Sequence, residues 1–130
     1  MAQKVRKMAE GGKKIWYFPD GFLPAKNPES AMIAHEALMI FNTHEEDVQV
    51  VIDIYYSDRE PVKGIPVTVP AERVISLRMD LKEDLNGVEI PLLTQYALRV
   101  TASAPVVVQF GRLDTTQNNM SYYLGVGFCE

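Results

Sequence analysis

Residues 48–61 read VQVVIDIYYSDREP, and the stretch alternates strictly in twos. Val48, Val50, Ile52, Ile54 and Tyr56 fall on one face; Gln49, Val51, Asp53, Tyr55 and Ser57 fall on the other. A period of two, rich in β-branched and aromatic residues, predicts a half-buried β-strand. The pattern stops at Asp58, Arg59 and Glu60. Pro61, which has no N–H to give to a ladder, closes it. Strand ends are where a rigid scaffold presents polar groups, so residues 57–60 are a first candidate for chemistry.

On either side the same period recurs. Upstream, residues 34–42 carry Ala, Met, Leu and Glu, which favour helix by propensity. Only five polar residues, Thr43 to Asp47, separate them from the next strand. So short a connection suits a β-hairpin, and residues 34–42 are expected to form a strand antiparallel to 48–57. Residues 14–18 (KIWYF) predict a short aromatic strand, followed by a turn at Pro19-Asp20-Gly21 and an irregular loop over 22–29. Downstream, Ile65, Val67 and Val69 alternate before a corner at Pro70-Ala71-Glu72, and Ile75, Leu77 and Met79 alternate after it. Residues 80–93 read as a polar loop with a helical turn. Tyr96, Leu98, Val100 and Ala102 form another strand, closed by Ser103-Ala104-Pro105. The next opens with Val106, Val107 and Val108, apolar on both faces and so expected to be central. In the last strand Met120, Tyr122, Leu124, Val126 and Phe128 are expected inward. Gly125 and Gly127 on its other face mark a bulge or a close backbone approach.

Eight short strands with frequent turns predict an all-β fold, an antiparallel β-sandwich of jelly-roll type, in a single domain. A chain of 130 residues buries about two-thirds of its surface in one such core. The hydrophobic and charged fractions, 47% and 23%, are ordinary for a soluble globular protein. The formal charge of −4 hides an asymmetry. Lys4, Arg6, Lys7, Lys13 and Lys14 face only Glu10 before the first aromatic cluster, so residues 1–13 read as a basic mobile arm and 14–130 as the sandwich. A single cysteine, Cys129, excludes an internal disulfide and fits a reducing compartment. No apolar run resembles a secretory leader or a membrane span, and a cytoplasmic location is the expectation.

The polar groups gather at predicted strand ends: His35 with Glu36, Asp58 with Arg59 and Glu60, Arg73 after the Pro70 corner, and Arg112 with Asp114 late in the chain. Two readings stay open. Arginine forks among carboxylates make a structural ion-pair network. The same groups hydrogen-bond a small polyhydroxylated ligand, with Trp16 offering an apolar face. Trp16, Tyr17, Phe18 and Phe22 equally serve as core. A carboxylate pair drawn from Glu36, Glu60 and Asp114 would suit acid–base work on sugars or sugar acids, but no catalytic residue is assigned. His35 and Glu36 lack metal-ligand spacing, and nucleophile, phosphate-loop and CxxC motifs are missing, so no metal or cofactor is expected.

Five strings in order, WYFPDGFLP, HEALMIFN, YYSDREP, TVPAERV and VVVQFGRLD, resemble the sensory-rhodopsin-transducer family. That family is named after the soluble cytoplasmic partner of a cyanobacterial sensory rhodopsin, and the resemblance runs from about Trp16 to Phe128. It implies a β-sandwich assembling as a homotetramer, similar to carbohydrate-binding modules. It also implies signal transduction with a sugar-like or other small polar ligand, and a membrane receptor as partner. Trp16, Gly21 and Pro24 match its opening motif, and His35 and Glu36 match its His-Glu pair, after Ala34 where the family pattern has Ser. Tyr55, Tyr56, Ser57, Asp58, Glu60 and Pro61 match the YYSD-x-EP string; Pro70, Ala71 and Arg73 match the corner. Gln109, Arg112, Leu113, Asp114 and Gln117 match the late motif. One departure is Phe110, which stands where the family pattern has His and removes a second imidazole.

The expected function is therefore a non-enzymatic, ligand-binding and signal-transducing oligomer. Its ligand set would be Trp16, His35, Glu36, Asp58, Glu60, Arg73, Gln109, Arg112 and Asp114. An enzyme of sugars or sugar acids, or a DNA-associated regulator using the basic arm on nucleic acid, are the alternatives.

Overall fold

The fold is built from β1 (Lys13–Phe22), β2 (His35–Asn42), β3 (Val48–Tyr56), β4 (Val62–Val69), β5 (Arg73–Arg78), β6 (Gln95–Asp114), β7 (Ser121–Gly125) and β8 (Phe128–Cys129), with one 3-10 turn at Lys82–Leu85. These elements come from a computed structural model that describes residues 11–117 and 119–130. Most of the basic arm, residues 1–10, lies outside the described residues. Every strand pairing is antiparallel.

The organising element is β6, a strand of 20 residues. Its first half pairs with β1 and β3 (Thr101 opposite Ile15, Val100 opposite Ile52). Its second half pairs with β2 and β7 (Phe110 opposite Leu38 and Gly125). One ladder therefore runs β4-β3-β6-β1-β8 and the other β5-β2-β6-β7, joined through β6. The two halves of β6 return over each other: Phe18, opposite Leu98, stacks on Phe110 at 5.9 Å between ring centroids. Residues of both ladders fill one hydrophobic core, including Leu38, Ile40, Ile52, Ile54, Leu98 and Val108. Val48, Val50, Ile52 and Ile54 all point into it, as the period of two requires.

Several local expectations are corrected. The strand expected over 34–42 is present as His35–Asn42, but β2 pairs with β5 and β6 while β3 pairs with β4 and β6, so β2 and β3 are not a hairpin. Residues 43–47 instead cross between ladders, pinned by the fully buried Asn42. Its amide donates to the carbonyls of Glu46, Val69 and Pro70 and its Oδ1 accepts the His44 N–H. Pro19-Asp20-Gly21 is not a turn: β1 runs through it with a register shift between Phe18 and Gly21. Glycine is needed there because a Cβ would lie 2.5 Å from the Tyr96 ring. Ser103-Ala104-Pro105 does not end a strand either; it lies within β6, where the strand passes from one ladder to the other. The final strand divides into β7 and β8, and Met120, Tyr122, Leu124, Val126 and Phe128 face outward rather than inward. Gly127 does allow the close approach its spacing suggested, with a Cβ there meeting the Phe18 ring at 2.5 Å.

Candidate functional site

Glu36 shares parity with Leu38 and Ile40, so the strand geometry that buries those side chains aims a carboxylate into the core. It is 0% exposed. A charge in that position persists only if it is paired and hydrogen-bonded. Oε1 accepts the Phe22 N–H at 2.9 Å and the Tyr96 hydroxyl at 2.6 Å. Oε2 lies 2.7 Å from both Nε and Nη2 of Arg112, which sits directly opposite on β6. The Arg112 side chain is 16% exposed. Its Nη1 donates to the Tyr123 hydroxyl at 2.6 Å and its Nη2 to the Asp20 carbonyl at 3.0 Å, with the Asp20 carboxylate 3.5 Å away. The guanidinium also lies over the Tyr123 ring, 5.4 Å from its centroid. One network thus joins β1, β2, both halves of β6 and β7.

Burial pushes the Glu36 carboxyl above its ordinary value, although the hydrogen bonds from Tyr96 and Arg112 pull the other way. Burial, followed by the Glu36 charge, drives the Tyr96 phenol far up, so it stays a hydrogen-bond donor. Burial pulls Arg112 down, but its hydrogen bond and charge contact with Glu36 prevail and hold it protonated. Above this network lies a small notch of about 60 Å³, walled by Phe18, Pro19, Phe110, Tyr123 and Val126, with Arg112 and Asp20 as its polar groups. The Asp20 side chain is 78% exposed. Arg112 can donate and Asp20 can accept hydrogen bonds from a group entering the notch.

Of the residues singled out from sequence, only Glu36 and Arg112 meet. His35, one residue from Glu36, has the opposite parity and turns its Nδ1 to the Ile33 carbonyl at 2.8 Å. Gln109 pairs with Met39 on that same outer face. Arg73 is opposite Asn42, at the far end of β2 from Glu36. Six residues of strand separate the two positions, about 20 Å. Trp16 donates its indole N–H to the carbonyls of Lys13 and Val106 at 3.0 and 3.1 Å, beside the fold of β6. Asp58 is forked by its own neighbour Arg59, Glu60 is exposed, and Asp114 accepts the N–H and hydroxyl of Thr116. Arg73 and Arg112, expected in one ligand set, therefore stand at opposite ends of β2. Asp20, Tyr96 and Tyr123 belong to the site and are not among the sequence candidates: Pro19-Asp20-Gly21 reads as a turn, Tyr96 as one member of an alternating strand, and Tyr123 falls on the strand face not assigned to the interior.

An all-β antiparallel domain with a buried acid–arginine pair at one end defines the class. The model of the Anabaena sensory rhodopsin transducer family matches residues 11–129. The chain belongs to that family, a family of transducer-like signalling proteins. Its fold is similar to the crystal structure of Thermotoga maritima 1070, with 29% identity, a TM-score of 0.78, and 92% of this chain and 96% of that one covered. It is also similar to the Anabaena sensory rhodopsin transducer, with 35% identity, a TM-score of 0.68, and coverage of 83% and 95%. No curated protein matches the chain. No helix among the described residues is long and apolar enough to cross a membrane.

Proposed function

We propose that this chain relays a signal as a cytoplasmic homo-oligomer, a tetramer on family grounds, and that a small sugar-like or other polar ligand docks at the mouth of the notch on Arg112 and Asp20, with the buried Glu36 holding Arg112 in place. A membrane receptor is the partner suggested by the name of the family's Anabaena member. The observation that carries the reading is β7. Tyr123, half-exposed, lies on the Arg112 side of the strand and accepts a hydrogen bond from it, while its neighbours Tyr122 and Leu124 lie on the opposite, outer side. They join Phe41, Val74 and Val107, all exposed, on the outer side of the ladder they share. Tyr122 lies along that face over Gly111, where a Cβ would come within 2.5 Å of its hydroxyl. Exposed apolar faces of this kind mark protein–protein contacts. A ligand that draws on Arg112 would therefore act on the strand that carries the contact face.

Light scattering tests the assembly: the wild type should be an oligomer of four chains, and Leu124→Asp should give a folded monomer. A monomeric wild type refutes the assembly. A thermal-shift panel of sugars and sugar acids tests the ligand, since saturation at about 100 times Kd stabilises by about 2.7 kcal/mol. No shift with any member counts against the ligand.

A further inference from the structure

A second cavity lies away from the notch, between the loop that follows β1 and the loop that precedes β6. Its volume is about 290 Å³, and its walls include Leu23, Ile33, Ile90 and Leu92. That is just under the range of about 300–1,000 Å³ for drug-sized sites and suits a smaller molecule. Four charged side chains line it: Lys26, Arg78, Asp80 and Glu89. Arg78 and Asp80 satisfy each other through two hydrogen bonds at 2.9 and 2.6 Å. Among the described residues, Lys26 and Glu89 form no ion pair. At its exposed rim the groove therefore presents a lysine and a carboxylate that no ion pair among the described residues occupies, beside an apolar wall.

The wall is also held under strain. Leu93, next to Leu92, has φ +58°, a left-handed conformation costly for a residue with a side chain. Its N–H donates to the Leu23 carbonyl at 2.7 Å, which ties the two loops together across the groove. Backbone strain maintained by such a tie is a known companion of ligand sites.

We infer that this groove binds a free α-amino acid with a branched or aromatic apolar side chain. The carboxylate meets Lys26, the ammonium meets Glu89, and the side chain packs on Ile33, Leu81 and Leu92, the exposed apolar residues of the groove. A simple anion would use Lys26 and leave Glu89 unanswered; a simple cation would do the reverse. A sugar would leave the apolar wall wet. This inference does not rest on the ligand proposed for Arg112, because the two cavities share no residue.

Calorimetric titration of the full chain with leucine, methionine and phenylalanine tests it. Saturable binding is expected for at least one of them. Leucine lacking its ammonium (4-methylpentanoate), leucine lacking its carboxylate (3-methylbutylamine), and glycine should all bind more weakly. Lys26→Gln and Glu89→Gln, both at exposed positions, should keep the fold and each weaken binding about fivefold, the scale of one exposed charge pair. No saturable heat at about 10 mM, where even a millimolar site would be nine-tenths filled, overturns the inference. So does binding that Lys26→Gln and Glu89→Gln leave unchanged, or truncated analogues that bind as well as leucine. A sugar panel that fails at Arg112 bears on none of these outcomes.

Discussion

Two cross-strand acid–arginine pairs use almost the same geometry in different surroundings. Glu36 faces Arg112 across β2 and β6, and Asp53 faces Arg99 across β3 and β6. Their nearest approaches are 2.7 and 2.8 Å. Glu36 and Arg112 lie between the ladders. Asp53 and Arg99 lie on an outer face, where Arg99 is 38% exposed and reaches over the Tyr55 ring. Asp53 is nearly covered and also accepts the Gly64 N–H at 2.9 Å, where a register shift interrupts the β3–β4 ladder. Contact distance is thus a poor guide to consequence. Burial decides how much is lost when one partner goes.

The largest expected effect follows from the inner pair. Glu36→Ala leaves Arg112, the Tyr96 hydroxyl and the Phe22 N–H without their acceptor, and should cost about 3–5 kcal/mol of unfolding free energy by denaturant titration. A loss below about 1 kcal/mol, the scale of exposed pairs, would erase the distinction. Next comes Asp53→Ala. Water screens Arg99, so the main loss is the Gly64 hydrogen bond, about 1 kcal/mol. A cost equal to that of Glu36→Ala would place both pairs in one class.

A smaller effect at the inner pair depends on pH. Burial holds the folded-state carboxyl of Glu36 above the ordinary value of 4.5. A raised value means the folded chain binds that proton more tightly than the unfolded chain does. The stability it contributes is full below 4.5 and is lost as pH rises through the higher folded value. Glu36→Gln cannot titrate, so the destabilisation it causes should be larger at pH 4 than at pH 7. Paired denaturant curves at the two values measure it, and a difference of the opposite sign would mean that Arg112 outweighs burial.

Much of the fold was legible because alternation is a local signal. The stretch at residues 48–61 points Val48, Val50, Ile52 and Ile54 inward as its period demands. Pairing partners were harder to read. Residues 43–47 suit a hairpin or a crossing equally well by length, and only the three carbonyls gathered by Asn42 decide it. The final strand shows a different limit. Its apolar alternation is real, but a period of two does not say whether a face meets the chain's own core or open surface. At the site, Glu36 and Arg112 were found as charged residues in strands. His35 stands beside Glu36 in the chain, but the pleat sends neighbours to opposite faces, and the family motif that brings in Gln109 does not say which face it takes. Asp20 escaped notice because Pro-Asp-Gly is strong turn chemistry, overridden here by the continuing pairing of β1 with β6.

A third acid–arginine pair sharpens the contrast from the weak end. Arg59 forks Asp58 with two hydrogen bonds, at 2.9 and 3.0 Å, as good a geometry as either cross-strand pair. About half of each side chain is open to solvent. The hydrogen bond from Arg59 holds the Asp58 carboxyl below its ordinary value. The two residues are also consecutive, so the unfolded chain keeps them within reach of each other, and little of their attraction distinguishes the folded state. Asp58→Ala should therefore leave the denaturant midpoint unchanged within error. A clear loss of stability would show that Asp58 bears on more than its neighbour, and the end of β3 would again be a candidate for chemistry beside the Glu36–Arg112 network.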